Sequence, residues 1–184
     1  MTGRIRIIGG QWRGRKLEVP NRPGLRPTGD RARETLFNWL QASVPGARCL
    51  DLFAGTGALG LEALSRGAAL AVLVERDRRL VAALHKVAET WPGGERMEVV
   101  GGDVRRWLQT DHRSFDLVFI DPPFADGLQK ELLGCLVDDG HLAPEALVYL
   151  EQDARLPEPE PCERYEMRRS KVLGEVRMTL LARR

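Results

Sequence analysis

The sequence predicts an α/β fold in which a mostly parallel β-sheet is covered by helices on both faces. From Arg48 onward, short apolar runs alternate with longer stretches of helical periodicity. This pattern is typical of parallel strands joined by helical crossovers. A glycine-rich turn follows the first apolar run, and an acidic residue stands at or just after the end of each of the first four. With 184 residues, the chain is long enough for one domain with a sizeable core and a small appendage.

Residues 1–47 are predicted to form a basic N-terminal extension. Residues 4–8 and 16–19 are predicted to be two short strands joined by a glycine-rich turn. Residues 20–29 contain three prolines and two glycines, which predicts a loop. Asp30 is expected to cap a helix that continues to about Gln41.

Residues 48–184 are predicted to form the main domain. Five apolar runs have the length and flanking residues of buried strands, namely residues 49–53, 71–75, 97–100, 115–120 and 146–150. Helical periodicity lies between them, over residues 57–66, 78–90, 104–108 and 128–138. Two further strands, residues 164–170 and 176–182, are separated by Gly174 and are expected to add a closing antiparallel hairpin to the edge of the sheet.

Four acidic residues mark the ends of the first four predicted strands of this domain. They are Asp51, Glu75, Asp103 and Asp121. In a doubly wound sheet the carboxyl ends of the strands line one crevice, where ligands bind. Any one acid there is most simply a helix cap or a loop residue, but four in register predict a binding site.

The turn after the first of these strands has the spacing Gly55-x-Gly57-x-x-Gly60, and Glu75 follows Gly55 by 20 residues. This combination is the fingerprint of dinucleotide sites, in which an acid binds a ribose hydroxyl. A nicotinamide-dependent dehydrogenase is therefore one candidate. Asp51 argues against it, because a carboxylate four residues ahead of the first glycine would repel a pyrophosphate. The same carboxylate would attract the ammonium group of an amino acid, such as the methionine part of S-adenosylmethionine.

Asp103 and Val104 point to the same ligand. A carboxylate just after the third strand can accept a hydrogen bond from the exocyclic amine of adenine, while Val104 packs against the face of the ring.

The segment Asp121-Pro122-Pro123-Phe124 directly follows the apolar run over residues 115–120. Neither proline has a backbone N–H, and each fixes its φ angle near about −65°, so the turn is stiff. An ionised Asp121 and the carbonyl of Pro122 are both acceptors, and two convergent acceptors suit an amino group with its two donors. Phe124 offers a ring face on which a base can stack. The simpler alternative is a strand end with a capping Asp and a core Phe.

Positive charge is concentrated at the N-terminus. Up to Arg48, ten basic residues stand against three acidic ones, a net charge of +7, whereas the rest of the chain carries −5 and the whole chain +2. A basic arm on a mildly acidic body favours a polyanion lying across one face, although a solvated arginine-rich surface is the alternative. Trp12 and several glycines interleave with the arginines, which favours RNA or DNA.

Other kinds of site are not predicted. The three cysteines, Cys49, Cys135 and Cys162, are too widely spaced for a disulfide framework or a metal pair, and the three histidines have no ligand spacing, so no metal is expected. No apolar run is long enough to cross a bilayer, and residues 1–10 lack the core of a secretory signal. We therefore expect a cytoplasmic protein with no membrane partner.

Together, the glycine turn, the strand-end acids and the DPPF segment resemble the class I S-adenosylmethionine-dependent amino-methyltransferases. Two N-terminal motifs are more specific, RIIGGQWRGRKL at residues 6–17 and LRPTGDRARETLFN at residues 25–38. With them the chain resembles the bacterial 16S ribosomal RNA guanine-N2 methyltransferase family commonly called RsmD, from about Arg4 to the C-terminus. In this family Asp is the usual residue at position 121.

The resemblance implies a Rossmann-like class I methyltransferase fold. Its mostly parallel sheet would have seven strands, helices on both faces and a C-terminal antiparallel hairpin. Residues 1–47 would be a small β-hairpin, loop and helix extension that contacts RNA and covers the site. Residues 48–184 would be the catalytic domain that binds S-adenosylmethionine.

The implied reaction is methylation of the exocyclic N2 of one guanine in 16S ribosomal RNA, within the small subunit or an assembly intermediate. S-adenosylmethionine would be the donor, S-adenosylhomocysteine the product, and the enzyme a monomer. The catalytic residues would be Asp121, Pro122, Pro123 and Phe124. Phe124 would stack on a flipped-out guanine. Asp121 and the Pro122 carbonyl would orient the amino nitrogen, a role that we favour over proton abstraction by Asp121.

The remaining site residues follow from the same resemblance. Those expected to bind S-adenosylmethionine are Asp51, Phe53, Ala54, Gly55, Thr56, Gly57, Glu75, Asp103 and Val104. Those expected to contact RNA are Arg4, Arg6, Arg13, Arg15, Lys16, Arg26, Thr28, Arg31 and Arg33. The segment from Arg26 to Thr28 is also expected to fold over the site as a lid.

Three alternatives stay open at this point. Adenine N6, or another amino group of a nucleic acid, would present the same donors to the same acceptors, so only the resemblance favours guanine N2. A NAD-dependent dehydrogenase is disfavoured by Asp51. A non-catalytic RNA-binding module would have no use for four acids in one crevice.

Overall fold

The structure is a computed structural model that describes residues 3–19, 29–122, 128–158 and 163–184. Its strands are β1 (Gly3–Arg6), β2 (Lys16–Val19), β3 (Arg48–Asp51), β4 (Leu70–Glu75), β5 (Met97–Gly101), β6 (Phe115–Ile120), β7 (Leu142–Asp153), β8 (Tyr165–Leu173) and β9 (Val176–Arg183). Its α-helices are α1 (Asp30–Trp39), α2 (Ala58–Ser65), α3 (Arg78–Thr90), α4 (Val104–Thr110) and α5 (Gln129–Asp138).

Strands β3 to β9 form one seven-stranded sheet in the order β5-β4-β3-β6-β7-β9-β8. Neighbours among β3 to β7 pair in parallel, whereas β9 is antiparallel to both β7 and β8. The predicted sheet and its C-terminal antiparallel hairpin are therefore confirmed. Because β4 and β5 lie on one side of β3 and β6 and β7 on the other, the direction of winding reverses between β3 and β6. Ligands bind at such a switch point in α/β sheets.

Alternation along the strands divides the core between the two faces of the sheet. Cys49 of β3 and Leu73 of β4 belong to a cluster with apolar side chains of α1, α2 and α3. Leu50, next to Cys49 on β3, and Val72, next to Leu73 on β4, belong to a second cluster with side chains of α4 and α5. Successive strand residues point to opposite faces, so these continuous apolar runs bury both sides of the sheet.

The N-terminal hairpin shares the first of these clusters. Strands β1 and β2 pair with each other in a separate two-stranded antiparallel sheet. Ile7 and Trp12, between the two strands, are 0% and 2% exposed and lie in the same cluster as Phe37 of α1 and Leu61 of α2. The extension is thus packed on the α1–α2 face of the sheet.

Both ends of helix α1 differ from the prediction. Helix α1 ends at Trp39, and Gly29 rather than Asp30 occupies its N-cap. Asp30 is instead the first residue of the helix. Its negative charge is stabilising there because it lies at the positive end of the helix dipole.

Strand β7 is much longer than the five residues predicted. Its pairing with β6 shifts between Leu142 and Leu147, so four residues are accommodated in an irregular segment. Its second half continues to Asp153 because β9 supplies antiparallel partners there. Such pairing depends on residues far along the chain and leaves no local periodicity.

In the part of the chain that the structure describes, no helix has the length and apolarity needed to cross a membrane.

Candidate functional site

Parallel pairing brings the ends of neighbouring strands to one edge of the sheet. Asp51 ends β3 and pairs in register with Leu73 of β4 and Phe119 of β6. Glu75 ends β4, and Asp121 directly follows β6. The predicted crevice therefore lies at the carboxyl edge, around the switch point between β3 and β6.

Asp51 is the most deeply buried acid of this edge, with 2% of the residue exposed. Its pKa is raised to about 7, chiefly by burial and also by the negative charges of Asp121 and Glu75, while backbone hydrogen bonds from Gly60 and Phe53 lower it. The first of these bonds joins Gly60 N to Asp51 Oδ2 over 3.1 Å. Asp51 Oδ1 is buried and has no hydrogen-bond partner among the described residues. A carboxylate in this state is suited to a cationic donor.

The glycine turn between β3 and α2 depends on two left-handed residues. Gly55 and Gly57 have φ angles of 54° and 80°, which other residues adopt only with strain. The Gly57 N–H closes the turn on the Ala54 carbonyl over 2.6 Å. A Cβ atom at Gly57 would lie only 2.6 Å from Leu84 Cδ2, so the turn is also packed tightly. Helix α2 follows at once, and its first-turn amides point back to the crevice.

Glu75 fixes this turn from the neighbouring strand. Its Oε2 accepts from the Gly55 N–H over 2.8 Å, and its Oε1 accepts from the Asp77 N–H over 2.8 Å. The acid predicted to bind ribose hydroxyls thus also joins the glycine turn to β4. The ribose contact itself stays a prediction.

Asp103 acts as the N-cap of α4. Its Oδ1 accepts from the N–H groups of Arg105 and Arg106, over 3.0 and 3.3 Å. Its neighbour Val104 is 8% exposed and belongs to the second core cluster. The helix-cap role is therefore visible in the structure, whereas adenine binding by this pair stays a prediction.

The other predicted contacts of S-adenosylmethionine differ in burial. Phe53 is half-buried and packs against the second core cluster, whereas Ala54 is 7% exposed and belongs to the first. Thr56 is half-buried within the glycine turn.

Asp121 is half-buried and Pro122 is buried at the end of β6. The charge of Asp121 acts on Asp51, as noted above, and also contributes to the raised pKa of Tyr149 on β7. Asp121 therefore stands between the cofactor side of the crevice and β7. Four predicted site residues, Pro123, Phe124, Arg26 and Thr28, lie outside the described residues.

Most of the predicted RNA-binding side chains are at the surface. Arg6, Arg13, Arg15, Lys16 and Arg31 are exposed. The guanidinium of Arg15 lies over the ring of Trp91, 5.1 Å from its centroid. Arg4 lies in β1, but its side chain is outside the described part of the structure.

Arg33 is the exception, and its predicted contact with RNA is wrong. The residue is 0% exposed. Its Nη2 donates to the Arg6 carbonyl over 2.8 Å and to Asp30 Oδ1 over 2.6 Å, and its Nη1 lies 3.6 Å from Glu62 Oε2. The sequence did contain the signal, because position 33 lies three and four residues before Leu36 and Phe37 and so on the apolar face of α1.

The basic turn of the hairpin lies far from the crevice. Gln11 N donates to the Ser65 carbonyl and Trp12 N to Ser65 Oγ, at the last residue of α2. The glycine turn precedes the other end of this eight-residue helix, about 12 Å away along its axis. Arg13 is therefore nearer the amino-terminal edge of the sheet than the carboxyl edge.

The structure also adds an acid that the sequence reasoning missed. Glu151 on β7 is 4% exposed and accepts from the Tyr149 hydroxyl over 2.8 Å. Since Ile120 pairs with Leu150, Glu151 follows on β7 as Asp121 follows on β6. The signal was again present, because Glu151 directly follows the fifth predicted strand as the other acids follow the first four.

Comparison with known proteins places the chain in a family. The family model described as "Conserved hypothetical protein 95" matches residues 5–182. The chain belongs to the Conserved hypothetical protein 95 family. It is 50% identical over 182 residues to "Ribosomal RNA small subunit methyltransferase D" of Escherichia coli strain K12, covering 99% of this chain and 91% of the relative. The protein of the same name from Haemophilus influenzae is 42% identical over 177 residues, covering 95% and 91%.

Solved structures agree with this membership of the Conserved hypothetical protein 95 family. The structure of Escherichia coli YhhF matches with a TM-score of 0.89 and 49% identity, over 98% of each chain. The resemblance that the N-terminal motifs and the DPPF segment indicated is thereby confirmed, as is the class I methyltransferase fold.

For this member of the Conserved hypothetical protein 95 family, the crevice fits S-adenosylmethionine better than a dinucleotide. The buried Asp51 Oδ1 can accept from an ammonium group, and the glycine turn allows close approach of a ligand. A pyrophosphate in the same place would face the three acids Asp51, Glu75 and Asp121.

Proposed function

We propose that this chain transfers a methyl group from S-adenosylmethionine to the exocyclic N2 of a guanine in 16S ribosomal RNA. The observation that carries the proposal is the buried Oδ1 of Asp51, which has no hydrogen-bond partner among the described residues and lies close enough to Asp121 for its charge to act. Two relatives are named small-subunit ribosomal RNA methyltransferase, and this chain covers 91% of each of them. They support ribosomal RNA as the substrate.

When bound, S-adenosylmethionine supplies an electrophilic methyl group on a sulfonium. Asp51 would hold the ammonium of its methionine part, and the backbone of the turn from Gly55 to Gly57 would contact the same end. Glu75 would contact the ribose, and Asp103 with Val104 the adenine.

Asp121 would act on the nucleic acid base. Its carboxylate and the Pro122 carbonyl are acceptors only, so each would accept a hydrogen bond from one N–H of the guanine amino group. This opposes the delocalisation of the nitrogen lone pair into the ring and directs that pair toward the methyl group. As the nitrogen–carbon bond forms, the carbon–sulfur bond breaks to leave S-adenosylhomocysteine, and the amino nitrogen loses one proton to water or to Asp121. Catalysis would come chiefly from positioning, which can supply about 7–11 kcal/mol of a barrier.

The proposal extends to the setting of the reaction. The protein would act as a monomer in the cytoplasm, on the small subunit or an assembly intermediate. The exposed arginines of the N-terminal extension support a polyanionic partner. Methylation of naked 16S RNA, of the isolated subunit and of an assembly intermediate, compared at equal concentration, identifies the substrate form.

The role of Asp121 is tested by Asp121→Ala. Methyl transfer should fall by at least about 100-fold, since the group that orients the nucleophile is lost. Binding of S-adenosylmethionine, followed by calorimetry, should change by less than about threefold. Asp139→Ala, at the exposed end of α5, is the matched control and should leave both quantities unchanged. Full activity of Asp121→Ala would contradict the proposed role.

The modified atom is identified by mass spectrometry of 16S RNA incubated with and without the protein. A single N2-methylguanine is expected. N6-methyladenine in its place would show that the chain is an amino-methyltransferase of a different specificity. Titration with NAD(H) should show no binding, in contrast to S-adenosylmethionine.

A further inference from the structure

Strand register places two acids at neighbouring positions on the carboxyl edge of the sheet, and only one of them has a role in the reaction described so far. Asp121 follows β6 and Glu151 lies on β7, one residue beyond the paired positions Ile120 and Leu150. Phe119 and Tyr149, two residues earlier on each strand, also pair and belong to the same core cluster, with ring centroids 6.5 Å apart. Alternation along both strands thus directs Asp121 and Glu151 to the same face.

Glu151 is held in one orientation from within the core. The Tyr149 hydroxyl donates to Glu151 Oε2 over 2.8 Å, and the two residues are 1% and 4% exposed. Burial raises the pKa of Tyr149 well above its ordinary value, and the charges of Glu151 and Asp121 raise it further. The phenol therefore keeps its proton and remains a donor. The charge of Asp121 also acts on Tyr149, so both acids lie near the same phenol.

The chemistry of the two purines separates them at such a pair of acceptors. Guanine presents two adjacent donors on its Watson–Crick edge, the N2 amino group and the N1–H. Adenine and 2,6-diaminopurine have an unprotonated N1, which is an acceptor. A carboxylate accepts only, so it pairs with the N1–H of guanine and is repelled by the lone pair at N1 of the others. A buried site loses much free energy when an acceptor faces an acceptor.

We propose that Glu151 is a specificity-determining residue that accepts the N1–H of the target guanine while Asp121 accepts from its N2 amino group. This inference rests on the proposed function and deepens it. The orienting bond from Tyr149 sets the direction of the Glu151 carboxylate. The paired acids then select guanine N2 against adenine N6, a choice that the DPPF segment alone leaves open.

The decisive experiment varies the base and the acid together. The substrate is 16S RNA with guanine or 2,6-diaminopurine at the mapped target position, introduced by ligation of a synthetic fragment. Both bases carry the reacting N2 amino group, but only guanine carries N1–H. The measured quantity is the ratio of kcat/KM for guanine to that for 2,6-diaminopurine. The unaltered chain should give a ratio of about 100 or more.

In Glu151→Gln the side-chain amide can donate to N1 of 2,6-diaminopurine. The ratio should therefore fall by roughly 10- to 100-fold, because guanine is methylated more slowly and 2,6-diaminopurine faster. The matched control is Glu145→Gln, an exposed acid nearer the other end of β7, which should keep the ratio of the unaltered chain. A merely structural role for Glu151 would slow both substrates equally and leave the ratio unchanged.

Tyr149→Phe provides a second test that keeps the carboxylate and removes only its orienting hydroxyl. Its ratio should fall severalfold, so the inference remains testable if Glu151→Gln fails to fold. An unaltered chain that methylates both bases equally well, or variants that both keep its ratio, would overturn the role of Glu151 and leave the proposed function standing. A chain that methylates neither base, with S-adenosylmethionine bound, would overturn the proposed function and this inference with it.

Discussion

Asp51 is deeply buried and accepts a backbone hydrogen bond from Gly60, and its Oδ1 has no hydrogen-bond partner at short distance among the described residues. Its pKa in the folded chain is raised to about 7, chiefly by burial, whereas the pKa of Asp in an unfolded chain is about 4. Between these values the folded chain binds a proton that the unfolded chain does not bind. The stability that this proton contributes is therefore present at low pH and is lost as the pH rises through about 7. Without a ligand, Asp51 is therefore only partly ionised at neutral pH.

A cationic ligand should reverse this balance. We expect S-adenosylmethionine to bind more tightly as the pH rises from about 6 to 8, because its ammonium group favours the ionised form of Asp51. Binding near pH 6.5, in the range of this titration, should release a substantial fraction of a proton, measurable by calorimetry in two buffers of different ionisation enthalpy. In Asp51→Asn this proton release should disappear, and affinity should fall by about 10- to 100-fold. Proton release that persists in the variant would assign it to another group.

At the scale of elements, helix α2 joins the crevice to the N-terminal hairpin. Its first turn donates from Gly60 to Asp51, and its last residue, Ser65, bonds the hairpin turn. Between them, Glu62 is 0% exposed and accepts from the N–H groups of Ile8 and Gly9, each over 2.8 Å. Glu62 also pairs with arginines of α1 and of the end of α2. One buried acid thus holds three segments together.

Glu62→Gln should destabilise the chain by about 3–5 kcal/mol, because it removes the buried one of the two carboxylates that neutralise the buried guanidinium of Arg33. The free energy of unfolding in urea is the measurement. Glu89→Gln, on the exposed side of α3, makes the same chemical change and should stay within about 0.5 kcal/mol of the unaltered chain. Equal stabilities of the two variants would show that the buried network contributes little.

At the scale of the whole molecule, the basic residues of the hairpin turn and of α1 lie on the same face of the sheet. The hairpin, with Arg13 and Arg15 at its turn, packs on the face that carries α1 to α3. Arg31 lies in the first turn of α1, and Arg13 lies beyond the last residue of α2. An RNA that contacts both must run along this face, so the proposed footprint is longer than the crevice itself.

Arg13→Ala should therefore weaken RNA binding several-fold and lower the slope of log K against log salt by about 1, with kcat at saturating RNA unchanged. Binding measured across a series of salt concentrations checks this. Arg105→Ala is the control, since this exposed arginine belongs to α4 on the opposite face and pairs with Glu131. If both variants behaved alike, the RNA would be attracted by net charge and not by this face.

The sequence by itself determined most strands and helices of the main domain, the glycine turn and the acids at the strand ends. Apolar periodicity and turn chemistry are local properties, so β6 and α3 have the predicted bounds. The same logic fixed the position of Asp51 ahead of the glycine turn, and with it the preference for an ammonium over a pyrophosphate.

Only the tertiary structure decided which charges are buried and which acids are neighbours. Arg33 lies inside because Glu62, 29 residues away, is there to receive it, and Glu151 stands beside Asp121 because β7 pairs with β6. Burial of a charge depends on partners that are distant along the chain. A basic motif therefore has the same sequence pattern whether its arginines contact RNA or are buried in the core. Only the fold distinguishes the exposed arginines from the buried ones.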